Sequence, residues 1–267
     1  MAVSAVVKLG GEVLAAPALA QVAAGVAAAR AGGHDLVIVH GGGPQATALS
    51  QRLGLTPTIV GGRRVTDAAT LDVMKMVVAG QLNVDLVAAL RAAGVPALGL
   101  HGPSGVILAS RRPPRVVSGG GPDPVDFGLV GDVEGFDLAL LRQLGRAYLP
   151  VLACLGASPG GEVLNINADV VASRLAAALG CDALLAVTAV GGVRRHKDDP
   201  TSRLARLTVA EARAAIADGT VQGGMIPKLE EAFEPLAAGV RAVHIIGPAE
   251  IASALAHPGT VGTLLRA

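Results

Sequence analysis

Tryptophan is absent from this chain, and aromatic residues make up only 1% of it. The core must therefore be filled with alanine, valine, leucine and isoleucine. Stacking recognition of single-stranded nucleic acid is disfavoured, because it needs aromatic platforms. An excess of either charge is missing too: 22 Lys and Arg stand against 21 Asp and Glu, for a formal net charge of +1. That balance gives no electrostatic argument for a nucleic-acid partner or an anionic membrane. Cysteine occurs only at Cys154 and Cys181, with no CxxC or Cys/His ligand spacing. A structural zinc site is not indicated, and both thiols read as buried and free in a reducing cytoplasm. The stretch Val13 to Ala29 raises a leader or membrane reading, but it follows Glu12 and is interrupted by Pro17 and Gln21. It is too short and too alanine-rich to span a bilayer, and reads as a helix packed on a sheet.

What is present is small and apolar. Hydrophobic residues reach 51% and charged residues 16% of 267 residues. A sizeable core can form and disorder is excluded. One large α/β domain over 1–267 is expected, with an N-terminal lobe at 1–160 and a C-terminal lobe at 161–267; no Ser/Gly-rich linker separates them.

Short β-branched runs alternate with helical patterns. Strands are expected at Val3–Leu9, Leu36–Val39, Ala97–Leu100, Leu149–Cys154, Ala183–Thr188, Ala242–Ile246 and Thr260–Leu265. Helices are expected at Pro17–Arg30, Pro44–Leu53, Asp67–Ala93, Asp137–Leu144, Asn167–Leu179, Thr208–Ala217, Lys228–Ala238 and Ala249–Ala256. Thr58–Val65 reads as a hairpin, His101–Asp132 as hairpins and loops outside the main sheet, and Gly191–Arg206 as a polar loop. Such alternation predicts an α/β fold, with a mainly parallel sheet carrying helices on both faces.

Several segments concentrate chemistry. Lys8-Leu-Gly-Gly11 ends the first strand, where open α/β sheets bind ligands, and consecutive glycines let backbone N–H groups approach phosphate. A glycine turn with a solvated lysine is the plainer alternative. His40-Gly-Gly-Gly-Pro44 joins a buried strand to a helix, so free N–H groups and the positive helix end face any anion. It is neither a G-x-G-x-x-G fingerprint nor a P-loop. Gly62-Arg-Arg-Val-Thr-Asp67 sets arginines beside a helix start, and Arg64 is suited to a substrate carboxylate. In Asn165-Ile-Asn-Ala-Asp169, either Asn can cap the following helix, which leaves the other over. Alternation in an extended segment points both amides to one side. Lys228 follows Gly223-Gly-Met-Ile-Pro227 at a helix start, against the dipole, an unfavourable position that a bound anion offsets.

On these residues the chain resembles the amino-acid kinase family. The strings that carry the resemblance are Val7-Lys-Leu-Gly-Gly11, Val39-His-Gly-Gly-Gly-Pro44, Gly62-Arg-Arg-Val-Thr-Asp67, Gly128-Leu-Val-Gly-Asp-Val133, Asn165-Ile-Asn-Ala-Asp169 and Gly223-Gly-Met-Ile-Pro-Lys228. They run in the family's order over nearly the whole chain. The resemblance implies a three-layer αβα sandwich. It implies transfer of the ATP γ-phosphoryl group to the side-chain carboxylate of N-acetyl-L-glutamate, in arginine biosynthesis. Mg²⁺ would be held mainly by ATP phosphates and water rather than by a protein metal site. Lys8 and Lys228 would flank the phosphoryl group and Asp169 would orient both. Gly10, Gly11, Gly42 and Gly43 would supply backbone donors to phosphate and substrate. Arg64, Asn165 and Asn167 would hold the amino acid. The nucleotide would lie near Gly192 and Val193 and near Gln222 and Gly224, in the C-terminal lobe. A cytoplasmic homodimer paired through the Asp67–Ala93 helix, insensitive to arginine, is also implied.

There are departures from the family pattern. After the strand Ala183–Val187 the family has Thr-Asp, where this chain has Thr188-Ala189. The loop after Leu100 reads His101-Gly-Pro-Ser-Gly105 and lacks the acidic residue often found there. Two other readings stay open. The substrate could be glutamate or aminoadipate on a small acidic carrier protein, met by Arg111, Arg112 and Arg115. Alternatively, the chain could be a non-catalytic nucleotide or metabolite sensor, as the alanine at 189 would suggest.

Overall fold

The computed structural model describes residues 2–117, 120–196, 199–223 and 225–267. Its centre is an eight-stranded sheet. In chain order the contributing strands are β1 (Ser4–Leu9), β2 (Asp35–His40), β5 (Ala97–Leu100), β8 (Leu149–Ala153), β11 (Ala183–Val187), β12 (Arg206–Thr208), β13 (Ala242–Ile246) and β14 (Thr263–Arg266). They lie in the order β12-β14-β13-β11-β1-β2-β8-β5. β1 pairs in parallel with both β11 and β2, placing Lys8 opposite Ala186 and Val39. Pairing is parallel except between β13 and β14. Every residue of β8 is buried, as expected for a strand covered on both faces.

The connecting helices are α1 (Ala18–Ala31), α2 (Gly43–Arg52), α3 (Ala68–Ala92), α4 (Leu138–Gly145), α5 (Ala168–Leu179), α6 (Val209–Ala217), α7 (Met225–Ala237) and α8 (Ile251–Ala256). α1 packs with α3 and α8, and α5 with α7, giving the expected sandwich about the sheet. α3 is apolar and long enough to cross a membrane by length and composition, yet Leu71, Val77, Val78, Leu82, Leu86 and Leu90 are buried in the core. Its middle, Lys75–Leu82, is π-helical, and just beyond it the buried Asn83 amide donates to Val151 O at 3.1 Å and meets His40 Nε2 at 2.9 Å. These contacts tie the helix to the end of β2 and the middle of β8.

The glycine-rich texture after residue 101 resolves into a second sheet. β6 (Ile107–Arg111), β7 (Gly131–Phe136), β9 (Leu155–Ala157) and β10 (Val163–Asn165) run in the order β10-β9-β6-β7. A separate hairpin joins β3 (Ile59–Val60) to β4 (Arg63–Arg64). Two differences from the sequence reading matter. The division expected at residue 160 falls inside the paired β9–β10 hairpin. The polar loop Gly191–Arg206 runs into β12, which the sequence pattern did not mark and which extends the main sheet by pairing with the last strand. Three residues of mixed polarity carry too little pattern to be read as a strand without their partner.

Candidate active site

The carboxyl ends of β1, β2, β8 and β11 converge on one edge of the sheet. The chain leaves β1 for β2 on one side and later returns to β11 on the other. A crevice forms at such a reversal of strand order. Lys8 lies at the end of β1, and its Nζ stands 2.6 Å from Asp169 Oδ1. Asp169 is in the first turn of α5, where the helix dipole favours a carboxylate, and its backbone N–H donates to the Asn167 side chain at 2.7 Å. Burial pushes the Lys8 ammonium toward neutrality, but the Asp169 charge and hydrogen bond, helped by Glu231 and Glu12, hold its pKa above the ordinary value.

Lys228 belongs to the first turn of α7, which begins three residues earlier than the sequence pattern suggested. It pairs with Glu12 at 3.5 Å. Asp169 was expected to orient both lysines; among the described residues its ion pair is with Lys8 alone, and Glu12 serves Lys228. The Glu12 carboxylate folds back over the Gly10 backbone, where an added Cβ would meet it.

The backbone cradle is equally specific. A Cβ on Gly11 would come within 2.6 Å of Gln45 Oε1 and 2.8 Å of Pro44 Cδ, and one on Gly42 would strike Leu82 Cδ1. Gln45 Nε2 donates to Gly11 O at 2.7 Å, fixing the Gly10–Gly11 turn against the start of α2. Its Oε1 is buried without a hydrogen-bond partner. The wholly buried His40 supports the loop from below: Nδ1 meets Gly41 O at 3.0 Å while Nε2 faces the Asn83 amide. These contacts select the tautomer with the proton on Nδ1. Burial lowers the His40 pKa to about 4, so the ring is neutral at physiological pH.

Arg64 reaches over the cradle from the hairpin. Its Nη2 donates to Thr47 Oγ1 at 2.7 Å and Gly43 O at 3.2 Å, and its buried Nη1 has no partner. A guanidinium satisfied only by neutral acceptors, with one amine spare, is placed to take a carboxylate. Asn165 is buried and donates to Thr66 Oγ1 at 3.1 Å, across the seam where Thr66 also hydrogen-bonds Phe127 and Leu129. Asn167 is exposed and caps α5. Both amides line the same cleft, but capping accounts for Asn167.

That cleft holds about 560 Å³ and is lined by Lys8, Gly10, Gly11, Gly42, Gly43, Arg64, Asn165, Asn167 and Asp169. A narrow adjoining crevice shares Lys8, Asp169 and Glu231 with it and adds Lys228 and Thr188. A further cavity of about 820 Å³ is lined by Gly192 and Gln222 together with Arg194, His196, Asp199 and Asp218. These two aspartates give it carboxylates although residue 189 is alanine. Val193 is not part of its lining: the side chain is fully buried and the backbone N–H donates to Thr263 Oγ1 at 2.8 Å. Gly224 lies outside the described residues.

Sequence reasoning missed Glu12, Gln45 and Glu231, all at this edge except that Gln45 sits just behind it. Only Glu231 had a signal, standing one helical turn beyond Lys228. The arginines expected to cluster are largely engaged. Arg112 is buried on Asp132 at 2.6 Å, and Arg111 donates to Gly128 O at 3.1 Å. Cys154 and Cys181 are buried and free, with burial pushing the thiols up to about 12 and about 11.

Known proteins are similar to this chain in sequence and fold. The model of the amino acid kinase family matches residues 4–247. Acetylglutamate kinase of Anaeromyxobacter dehalogenans strain 2CP-C is 57% identical over 265 residues, covering 97% of this chain and 98% of that one. Acetylglutamate kinase of Sorangium cellulosum is also 57% identical, over 97% of this chain and 93% of its own. Among solved structures, N-acetylglutamate synthase from Neisseria gonorrhoeae, complexed with coenzyme A and N-acetyl-glutamate, superposes with a TM-score of 0.81 at 27% identity, over 99% of this chain and 59% of that one. Carbamate kinase from Giardia lamblia bound to AMP-PNP shares the fold at a TM-score of 0.69 and 17% identity, over 99% of this chain and 98% of that one. The chain belongs to the amino acid kinase family.

Proposed function

We propose that this protein transfers the γ-phosphoryl group of ATP to the side-chain carboxylate of N-acetyl-L-glutamate, forming an acyl phosphate for arginine biosynthesis. The observation that carries this reading is the convergence of Lys8, the Gly10–Gly11 and Gly42–Gly43 backbones and the half-satisfied Arg64 on one cleft. The activity named for relatives at 57% identity over nearly full length supports it.

The chemistry follows from the groups present. The accepting carboxylate is ionised at neutral pH, so its attack needs no general base. The protein's work is alignment and charge stabilisation. Arg64 binds the substrate's remaining carboxylate and Asn165 closes the pocket beside it. Lys8 and Lys228 approach the transferring group, with Asp169 keeping Lys8 charged and Glu12 aiming Lys228. Backbone N–H groups of the two glycine turns receive the phosphate and substrate oxygens. The nucleotide base and sugar take the larger cavity near Gly192 and Gln222. Among the described residues no three His, Cys, Asp or Glu side chains gather as a metal-holding group. In this reading Mg²⁺ is carried mainly by the triphosphate and water. When bound, it neutralises charge on the β- and γ-phosphate oxygens.

The protein works as a cytoplasmic homodimer in this reading. α3 exposes Met76 and Val84, large apolar side chains on the face of the helix turned away from the core, and these supply the contact between copies.

A hydroxylamine trap tests the activity: with ATP, Mg²⁺ and N-acetylglutamate, hydroxamate accumulates, and glutamate, aspartate and carbamate give little. Lys8→Ala or Lys228→Ala lowers turnover by roughly a hundredfold or more, the scale for losing one donor to developing charge. Near-normal turnover in both variants refutes the assignment.

A further inference from the structure

Both lysines of the site already have a carboxylate partner, yet a further carboxyl group stands beside them. Lys8 is paired with Asp169 and Lys228 with Glu12, so two cations and two anions already balance. Glu231 stands one turn after Lys228 on α7 and lines both the substrate cleft and the crevice that holds the two lysines. Among the described residues it has no ion pair within 4 Å. The charged groups facing it are Lys8 from β1, Asp169 from α5, Lys228 from its own helix and Arg63 from the hairpin. An ionised carboxylate beside a triphosphate would repel it, whereas a neutral carboxylic acid there is a hydrogen-bond donor.

We propose that Glu231 takes part as a neutral acid. When a polyphosphate seats between Lys8 and Lys228, the Glu231 carboxylate takes one proton from solvent and donates it in a hydrogen bond to a phosphate oxygen. No covalent bond changes, and the proton returns to solvent when the phosphate leaves. The inference rests on the phosphoryl-transfer reading of the cleft. It assigns a phosphate-binding role to a residue outside the glycine turns and the lysine pair.

The electrostatics agree in direction. Burial first, and the Asp169 charge second, raise the Glu231 pKa to about 7, against the opposing pull of Lys8, Lys228 and Arg63. A bound phosphate adds negative charge next to it and raises the pKa further. Above pH 7 the free protein holds Glu231 mostly ionised, so binding must take up a proton. Affinity for nucleotide therefore falls as pH rises, by up to about tenfold per pH unit.

Calorimetric titration with MgATP, without amino acid, in buffers of different ionisation enthalpy tests this. His196 lines the larger cavity, so the titrations use a His196→Asn background to remove its imidazole. Binding at about pH 7.5 takes up roughly 0.7 proton per nucleotide, the fraction left to fill on a group titrating near 7. In Glu231→Gln the uptake disappears, and affinity stays flat across about pH 7 to 9, because the amide donates as the neutral acid does. Glu231→Ala binds more weakly at every pH. A structural role alone would lower the melting temperature without altering proton uptake. MgATP binding with no proton uptake, or with the same uptake in Glu231→Gln, overturns the role of Glu231 and leaves the phosphoryl-transfer reading standing. No MgATP binding at any pH overturns both.

Discussion

Asp169→Asn separates charge from shape at the centre of the site. The side chain keeps its size and can still accept from Lys8, but the counter-charge is gone. In the native protein the pair is 2.6 Å apart, with Lys8 12% and Asp169 23% exposed. Removing one member of a buried pair leaves an uncompensated ion, at about 3–5 kcal/mol. The lower figure, about 3 kcal/mol, applies because Asp169 is partly solvated and Glu12 and Glu231 still face Lys8. For a chain of this size about 2–4 °C is lost per kcal/mol, so melting should fall by about 6–12 °C near neutral pH. The sign with pH is also determined. Native Lys8 has its pKa raised above 10.5, so the stabilisation persists through the neutral range and is lost only as pH climbs through that raised value. Burial is already the largest single influence; without Asp169 its main opposition is gone, the pKa falls, and the ammonium deprotonates earlier. Turnover should drop by roughly a hundredfold or more, and its alkaline limb should move to lower pH. Thermal unfolding and hydroxamate formation over about pH 7 to 10 measure both effects. A variant with native melting temperature and an unmoved alkaline limb would refute this account of the Lys8 environment.

Three other outcomes follow from the same geometry. Gly11→Ala forces a Cβ to within 2.6 Å of Gln45 Oε1 and 2.8 Å of Pro44 Cδ, so the cradle must shift. kcat/KM for ATP should fall by about tenfold or more, with a lower melting temperature from the overpacking, and unchanged kinetics would contradict a cradle role. His40 and His244 are buried, with pKa values lowered to about 4 from 6.5. Between those values the unfolded chain binds more protons. Stability is therefore full above about 6.5 and declines toward 4, by about 3 kcal/mol per histidine; urea unfolding at several pH values reads the slope, and a flat profile would refute it. Met76→Glu with Val84→Glu places charges on the exposed apolar side chains of α3 and should convert a dimer to monomer by light scattering. A dimer that survives this change pairs elsewhere.

Most of the sheet and its helices were legible because their residues carry strong local patterns. β5 and β13 occupy the expected residues, Asp67 caps α3 by accepting from Thr70 N–H, and Thr208 forms a capping box with Glu211. The glycine turns and the two lysines were legible for a similar reason: each sits beside a strand end or a helix start that the pattern itself marks. β9, β10 and β12 were not, since three-residue strands owe their existence to partners distant in sequence.

The sequence by itself determined which groups can bind phosphate: lysines, glycine backbones and an arginine placed at the ends of secondary structure, where local rules apply. Only the tertiary structure decided how they are paired. Asp169 faces Lys8 while Glu12, rather than Asp169, faces Lys228. Val193 turns inward onto Thr263, and Glu231 stands beside two lysines that already have partners. Local propensity places a side chain on a helix or a strand. Which charge it meets depends on how β1, α5 and α7 pack, and packing also sets the burial that decides whether a carboxyl group keeps its proton.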